Sequence, residues 1–158
     1  MEVDIVQGSC FVSPRALIES LGAFDEGFFL YYEEADLQER IRAAGFKVWY
    51  TPRARIVHLG GASTVKQLTW CRIECERSRA RFFSKHRSRL EQLLLPPVRF
   101  VDSLLRVGLG LLAVVVTLGR APQVRTKTGV ELAVLRWLLG LRRHGERPRS
   151  TPSPASSR

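Results

Sequence analysis

The sequence predicts an α/β unit that gives way to basic helices and then to apolar or amphipathic ones. Short strand-forming runs alternate with short helical patterns as far as about residue 65. Beyond that point the strand signals stop and the charge reverses. Residues 1–65 carry 9 acidic and 6 basic side chains, whereas residues 66–158 carry 6 and 19.

Each element follows from its residues. Residues 3–7 alternate as a short strand and break at Gly8, and residues 10–12 form a second apolar piece. Ser13 suits an N-cap and Pro14 the first helical position, and Gly22 is placed to end that helix in a left-handed cap. The loop 24–27 leads into the aromatics Phe28, Phe29, Tyr31 and Tyr32. A second helix is expected over 33–44, stopped by Gly45, with Leu37, Ile41 and Ala44 on one face. Asp36 and Arg40, four residues apart, are spaced to pair across a turn. Residues 48–50 and 55–59 read as strands, the latter broken by Gly60 and Gly61.

The rear reads as helix over 65–95, stopped by Pro96 and Pro97. Residues 98–119 are mostly apolar but include Arg99, Asp102 and Arg106. Their clean core, 107–118, is twelve residues long, and a bilayer span needs about 20. Lying on a membrane or docking on protein is therefore as consistent with this stretch as spanning. A final amphipathic piece covers 129–141, and the Pro, Ser and Arg of 142–158 give a tail with almost nothing to bury. The expected organisation is a 1–65 unit, a basic extension over 66–95, membrane-associated helices over 96–141 and a disordered tail over 142–158.

A net charge of +10 concentrated in the rear points to an anionic partner surface. Arg72, Arg77, Arg79, Arg81, Lys85, Arg87 and Arg89 crowd one helix among Trp70, Phe82 and Phe83. Phosphates of nucleic acid or of phospholipid would both suit them. The adjoining apolar stretches favour the membrane surface, so no nucleic-acid partner is expected. A solvated helix face docked on the sheet is the plainer alternative. The three cysteines, Cys10, Cys71 and Cys75, show no disulfide framework, which fits a reducing compartment. Cys71 and Cys75 are one turn apart, as a metal or redox pair could be, or simply two small core residues.

The acids Glu33, Glu34 and Asp36 sit at the predicted start of the second helix, where free N–H groups and the helix dipole favour negative charge. Their mutual repulsion raises proton or cation affinity. Together these conditions suit a general base, and equally an ordinary dipole-compensating first turn. His58 beside carboxylates could ligate a divalent metal, or be a hydrogen-bonded structural histidine.

The ordered series Gly8, then 22–29 (GAFDEGFF), then 32–37 (YEEADL), Arg40, 44–46 (AGF), Pro52, His58 and Ser63 resembles the back half of family 2 glycosyltransferases of the GT-A type. Within that family it is similar to the rhamnosyltransferase and galactofuranosyltransferase-like branch. The resemblance covers about residues 3–65. It implies an acceptor-side portion of a Rossmann-like GT-A fold and inverting transfer from a nucleoside diphosphate sugar. The acceptor would be a cell-envelope or surface-polysaccharide glycan, or a lipid-linked one, at the cytoplasmic face of the plasma membrane.

The resemblance also implies roles. Glu34 falls where the family's general base lies, although Asp is more usual there. Glu33 would support the acceptor pocket, and Asp36 would bind acceptor or orient the base with Arg40. Asp25 would shape a pocket loop, and Gly8 would let backbone approach the sugar. His58 would complete a site for Mg²⁺ or Mn²⁺. The family's main metal motif, Asp-x-Asp, does not occur in this chain. The chain is therefore expected neither to bind donor nor to turn over alone.

Overall fold

The computed structural model describes residues 1–58 and 67–141. The expected tail over 142–158, and Leu59, Gly60, Gly61 and Ser63 of the front unit, lie outside the described residues. The elements run β1 (Glu2–Val3), α1 (Arg15–Ser20), α2 (Glu33–Ala43), β2 (Val48–Trp49), α3 (Leu68–His86), α4 (Arg89–Val116) and α5 (Pro122–Leu138). The described chain is mostly helical. Its α/β character rests on two short antiparallel strands, with Glu2 opposite Trp49 and Val3 opposite Val48, and no Rossmann-like sheet is evident among the described residues.

The front elements form where local chemistry asks for them. Helix α1 begins one residue later than predicted, with Pro14 as its N-cap and no side-chain cap bond from Ser13. It ends as predicted: Gly22 takes φ +79°, and the Ala23 and Gly22 amides return to the carbonyls of Ile18 and Glu19. Gly45 closes α2 in the same way, with the Phe46 and Gly45 amides bonded to Ile41 and Arg42. The strand expected over 3–7 shortens to Val3. Residues 10–12 and the described part of 55–59 are irregular.

One reason for the short strand is Gln38. Its buried side chain accepts from the Val6 amide (2.7 Å) and donates to the Val6 carbonyl (2.8 Å). A helix side chain thus satisfies backbone groups that a neighbouring strand would otherwise pair. The segment, α1 and β2 together border an open, largely apolar cleft of roughly 1150 Å³.

The prolines do not end the rear helix. The break comes earlier, where Arg87 is extended and Ser88 starts α4 with a capping box. The Ser88 amide donates to Glu91 Oε2 at 2.9 Å, and the Glu91 amide returns to Ser88 Oγ at 3.4 Å. Pro96 and Pro97 then lie inside α4. An interior proline costs about 3 kcal/mol, and packing beyond it offsets that. Arg99 grips Glu76 of α3 with two bonds (2.9 and 2.6 Å), while Ser103 and Val107 are buried.

Helix α5 lies so close to α4 that a Cβ on Gly110 would stand 2.5 Å from Thr128 Oγ1. The stretch expected as a separate helix over 98–119 is therefore the second half of one 28-residue helix. Among the described residues, no helix is long and apolar enough to cross a membrane.

Candidate functional site

The site is built where α3 supports the entry to α2. Phe28, Ala35 and Phe82 form a small core, with Tyr32 and Phe83 packed against it. Tyr31 and Tyr32 both adopt left-handed backbone, at φ 66° and 69°. Such a conformation is uncommon for bulky residues and costs about 1–3 kcal/mol each, so surrounding contacts must hold it. Helix α3 supplies them. Ser78 donates to the Leu30 carbonyl (2.8 Å), Arg79 Nε to the Tyr32 hydroxyl (2.9 Å), and Phe82 packs on the Tyr32 ring with centroids 5.3 Å apart.

Glu33, Glu34 and Asp36 fall in the first turn of α2, with no side-chain cap ahead of them. Their environments differ. Asp36 is fully enclosed and bonded to three partners. Arg40 reaches its Oδ2 at 2.8 Å, His86 Nε2 lies 2.7 Å from its Oδ1, and Lys85 pairs with the same oxygen. Burial alone would raise its pKa, but bonds from Lys85, His86 and Arg40 hold the carboxyl below the usual range. The expected pairing with Arg40 is present. Arg40 also donates to the carbonyls of Leu21 and Ala23, which stitches α2 to the end of α1.

Glu33 and Glu34 each have one carboxylate oxygen that is shielded from solvent and has no hydrogen-bond partner. Burial, and then the neighbouring Glu34 charge, push the Glu33 carboxyl above its ordinary value. Glu34 Oε1 faces the Gly8 amide at 3.4 Å, and a Cβ on Gly8 would stand 3.1 Å from Glu34 Cγ. Gly8 and Glu34 are thus brought together, and any larger residue at position 8 would press on the Glu34 side chain. Gln38, one turn further along α2, sets this register through its clamp on Val6. Carboxylate oxygens with free lone pairs at a helix start can accept a hydroxyl proton or hydrogen bond.

Asp25 sits apart from this pair. Its side chain accepts from the Gly27 amide (2.8 Å), Arg81 (3.0 Å) and Lys85 (2.6 Å). The Lys85 bond, then that of the Gly27 amide, draw its carboxyl far below the usual range. Lys85 therefore bridges Asp25 and Asp36 and fixes the 24–28 loop against α2. His58 is exposed, at the end of an irregular segment. Among the described residues, no three His, Cys, Asp or Glu side chains assemble to hold a metal ion.

Several contributors are not expected at this site: Gln38, Ser78 and His86 are not singled out by the sequence, and Arg79 and Lys85 read there only as part of a basic helix. For the four on α3 the signal is the density of polar residues on that helix, which reads as a surface feature until its partners are known, and Gln38 on α2 gives none. Most of those cations are in fact committed to carboxylates. Arg72, Arg79 and Arg99 surround buried Glu76, Arg77 meets Glu74, and Arg87 meets Glu39.

The chain's sequence likenesses are to a glycosyltransferase and to a succinoglycan biosynthesis protein. The chain is 37% identical over 59 residues to N-acetylglucosaminyl-diphospho-decaprenol L-rhamnosyltransferase of Mycobacterium tuberculosis, in each of two strains. That match takes in 37% of this chain and 19% of the relative. It is 33% identical over 87 residues to the succinoglycan biosynthesis protein ExoA of Rhizobium meliloti, covering 52% of this chain and 26% of that one. The chain thus spans about a fifth to a quarter of the curated relatives it matches. No family model matches it, and no solved structure does.

Proposed function

We propose that this chain is the acceptor side of a family 2, GT-A type glycosyltransferase, with Glu34 as the general base of an inverting transfer. The observation that carries the reading is the Gly8–Glu34 approach. One Glu34 oxygen faces the Gly8 amide while the other is shielded and unpartnered, and Glu33 beside it is in the same condition. In the proposed step an acceptor hydroxyl gives its proton to Glu34 as its oxygen bonds to the anomeric carbon of a nucleoside diphosphate sugar. The bond from that carbon to the diphosphate breaks on the opposite face, and the nucleoside diphosphate leaves with the electron pair.

Gly8, Glu33 and the Tyr31–Tyr32 turn would shape the acceptor pocket. Asp36, enclosed and ion-paired, would orient the helix start through Arg40 rather than touch acceptor, and Asp25 would hold its loop. The acceptor is proposed to be a cell-envelope or surface-polysaccharide glycan, or a lipid-linked one, worked on at the cytoplasmic face of the plasma membrane. The lipid-linked sugar in the name of the rhamnosyltransferase and the polysaccharide in that of ExoA support the acceptor classes proposed. A divalent cation, Mg²⁺ or Mn²⁺, would take most of its ligands from groups other than those described here, with His58 supplying at most one. Its part would be to neutralise the diphosphate.

The test is to join the chain to a donor-binding domain carrying an Asp-x-Asp motif and to follow transfer with and without divalent cation. Transfer by the joined protein alone is the expected result. A second reading is a non-catalytic, truncated acceptor-side module that binds a membrane surface or partner through its basic helices. Exposed Arg120, Arg125 and Arg136, which have no carboxylate partner among the described residues, favour it, whereas the cations of α3 are committed to internal ion pairs. Titrating the isolated chain with Mn²⁺ and a nucleotide sugar bears on both. Tight, metal-dependent donor binding would contradict the assignment to the acceptor side.

A further inference from the structure

Helix α4 carries its apolar residues on the wrong side for a protein core. Its charges beyond the first turn are Arg99, Asp102 and Arg106. All three lie on one side, tied to each other and to Glu76. The same side holds buried Ser103 and Val107, and Gly110 against Thr128.

The opposite side is different. Leu94, Val98, Val101, Leu105, Leu112 and Val116 recur at helical spacing, and each is 51–74% exposed. No charged residue interrupts that stripe. At 28 residues the helix is about 42 Å long, so the bare face runs most of its length. Contiguous exposed apolar surface of this extent marks an interaction site.

Charge placement identifies the occupant. The cations of α3, and Arg99 and Arg106 of α4, are consumed by carboxylates, but others near α4 are not. Arg89 at its start, Arg120 after its end, and Arg125, Lys127 and Arg136 on α5 have no carboxylate partner among the described residues. Glu131 is the one acid on α5, and it is turned to Arg72 of α3. Thr128 marks the side of α5 that meets α4. Helical spacing then sets Arg125 and Arg136 on the side of α5 turned away from Glu131 and α3. An unbroken apolar face edged by unpaired cations is complementary to acyl chains beneath anionic headgroups. A second copy of this chain would instead bring like charges together.

We propose that α4 lies in the plane of an anionic membrane, its Leu94–Val116 stripe in the acyl boundary, with Arg89, Arg120, Arg125 and Arg136 at the phosphates. Because no described helix is long and apolar enough to span, the helix rests on the surface rather than crossing it. This reading does not depend on the proposed glycosyl transfer, and its test uses no activity.

The test is co-sedimentation of the full chain with vesicles of phosphatidylglycerol and phosphatidylcholine, and with phosphatidylcholine alone. Binding to the anionic vesicles is expected, weakened but not abolished by salt. The Leu105→Glu/Leu112→Glu double variant should lose roughly tenfold or more in vesicle affinity. Arg125→Gln/Arg136→Gln should lose binding in part. The substituted leucines are exposed, so near-ultraviolet circular dichroism should be unchanged. Leu105→Ser/Leu112→Ser provides the same readout without added charge.

Undiminished binding by both leucine variants, as if a basic segment acted alone, would overturn the proposal. So would a concentration-dependent dimer, seen by sedimentation velocity, that the same variants dissociate while vesicle binding is absent.

Discussion

Arg79 Nε donates to the Tyr32 hydroxyl at 2.9 Å, which ties the middle of α3 to the residue that begins α2. The same guanidinium bonds Glu76 at 2.6 Å, and Glu76 is gripped in turn by Arg99 of α4. A continuous polar path therefore links the rear helices to the left-handed turn ahead of Glu33 and Glu34. Tyr32→Phe removes only the hydroxyl and keeps the ring on Phe82. Loss of a hydrogen bond to a charged group should cost about 1.5–3 kcal/mol, read by urea unfolding. Glu76→Gln leaves three arginines facing one neutral group and should cost more, about 3–5 kcal/mol.

Acid should loosen the α2–α3 junction. The carboxyls of Asp25 and Asp36 are both held below their ordinary value of 3.8 in the folded chain. A depressed carboxyl contributes stability that is fully present above its unfolded value and is lost as pH falls through the folded one. Thermal unfolding followed downward from pH 5 should therefore show a falling midpoint that steepens below about pH 4. Asp36→Asn should flatten part of that slope and lower stability at pH 7, because Lys85 and Arg40 lose a buried partner.

Glu33 should behave in the opposite sense. Its carboxyl is raised, chiefly by burial, so its charged form is a cost to the fold that grows as pH rises past the ordinary glutamate value. Glu33→Gln should raise the melting temperature at pH 7 and leave it nearly unchanged at pH 4. A fall at pH 7 would show that the charge is compensated.

At the α4–α5 contact the margin is steric. Gly110→Val would drive a side chain into Thr128 and should destabilise the rear helices by about 1–3 kcal/mol, as overpacking does. Gly110→Val/Thr128→Ala should recover part of that loss, which denaturant unfolding would register.

These contacts show why some of the molecule was legible in the sequence and some was not. The end of α1 at Gly22, the end of α2 at Gly45 and the Asp36–Arg40 pair rest on neighbours within five residues, so spacing alone announces them. The continuation of α4 through Pro96 and Pro97 was not legible. It depends on Glu76 gripping Arg99 across a separation of 23 residues. A local sign did exist, since Ser88 and Glu91 have capping-box spacing and mark the true break.

The basic face of α3 misled for a similar reason. Arg81, Lys85 and Arg87 find Asp25, Asp36 and Glu39 in the acidic front half, and Arg72, Arg77 and Arg79 find Glu74 and Glu76 on α3 itself, so much of a charge block that looks free in sequence is neutralised in the fold. The surplus cations left near α4 and α5 are what remains for an external partner. At the candidate site, the cluster 33–36 was visible, but its internal division was not. Enclosed Asp36 and shielded, unpartnered Glu33 and Glu34 are distinguished only by Lys85, His86 and Gly8, which come from elsewhere in the chain.

The central claim concerns Glu34, and replacing it in a chain joined to a donor-binding domain tests that claim most directly. Single-turnover transfer by Glu34→Gln should fall by about 10²–10⁴-fold, the range expected for loss of a general base, with acceptor KM little changed. Glu34→Asp should retain part of the rate. Unchanged turnover in Glu34→Gln would contradict the account, and loss confined to Glu33→Gln would move the base to the neighbouring carboxylate.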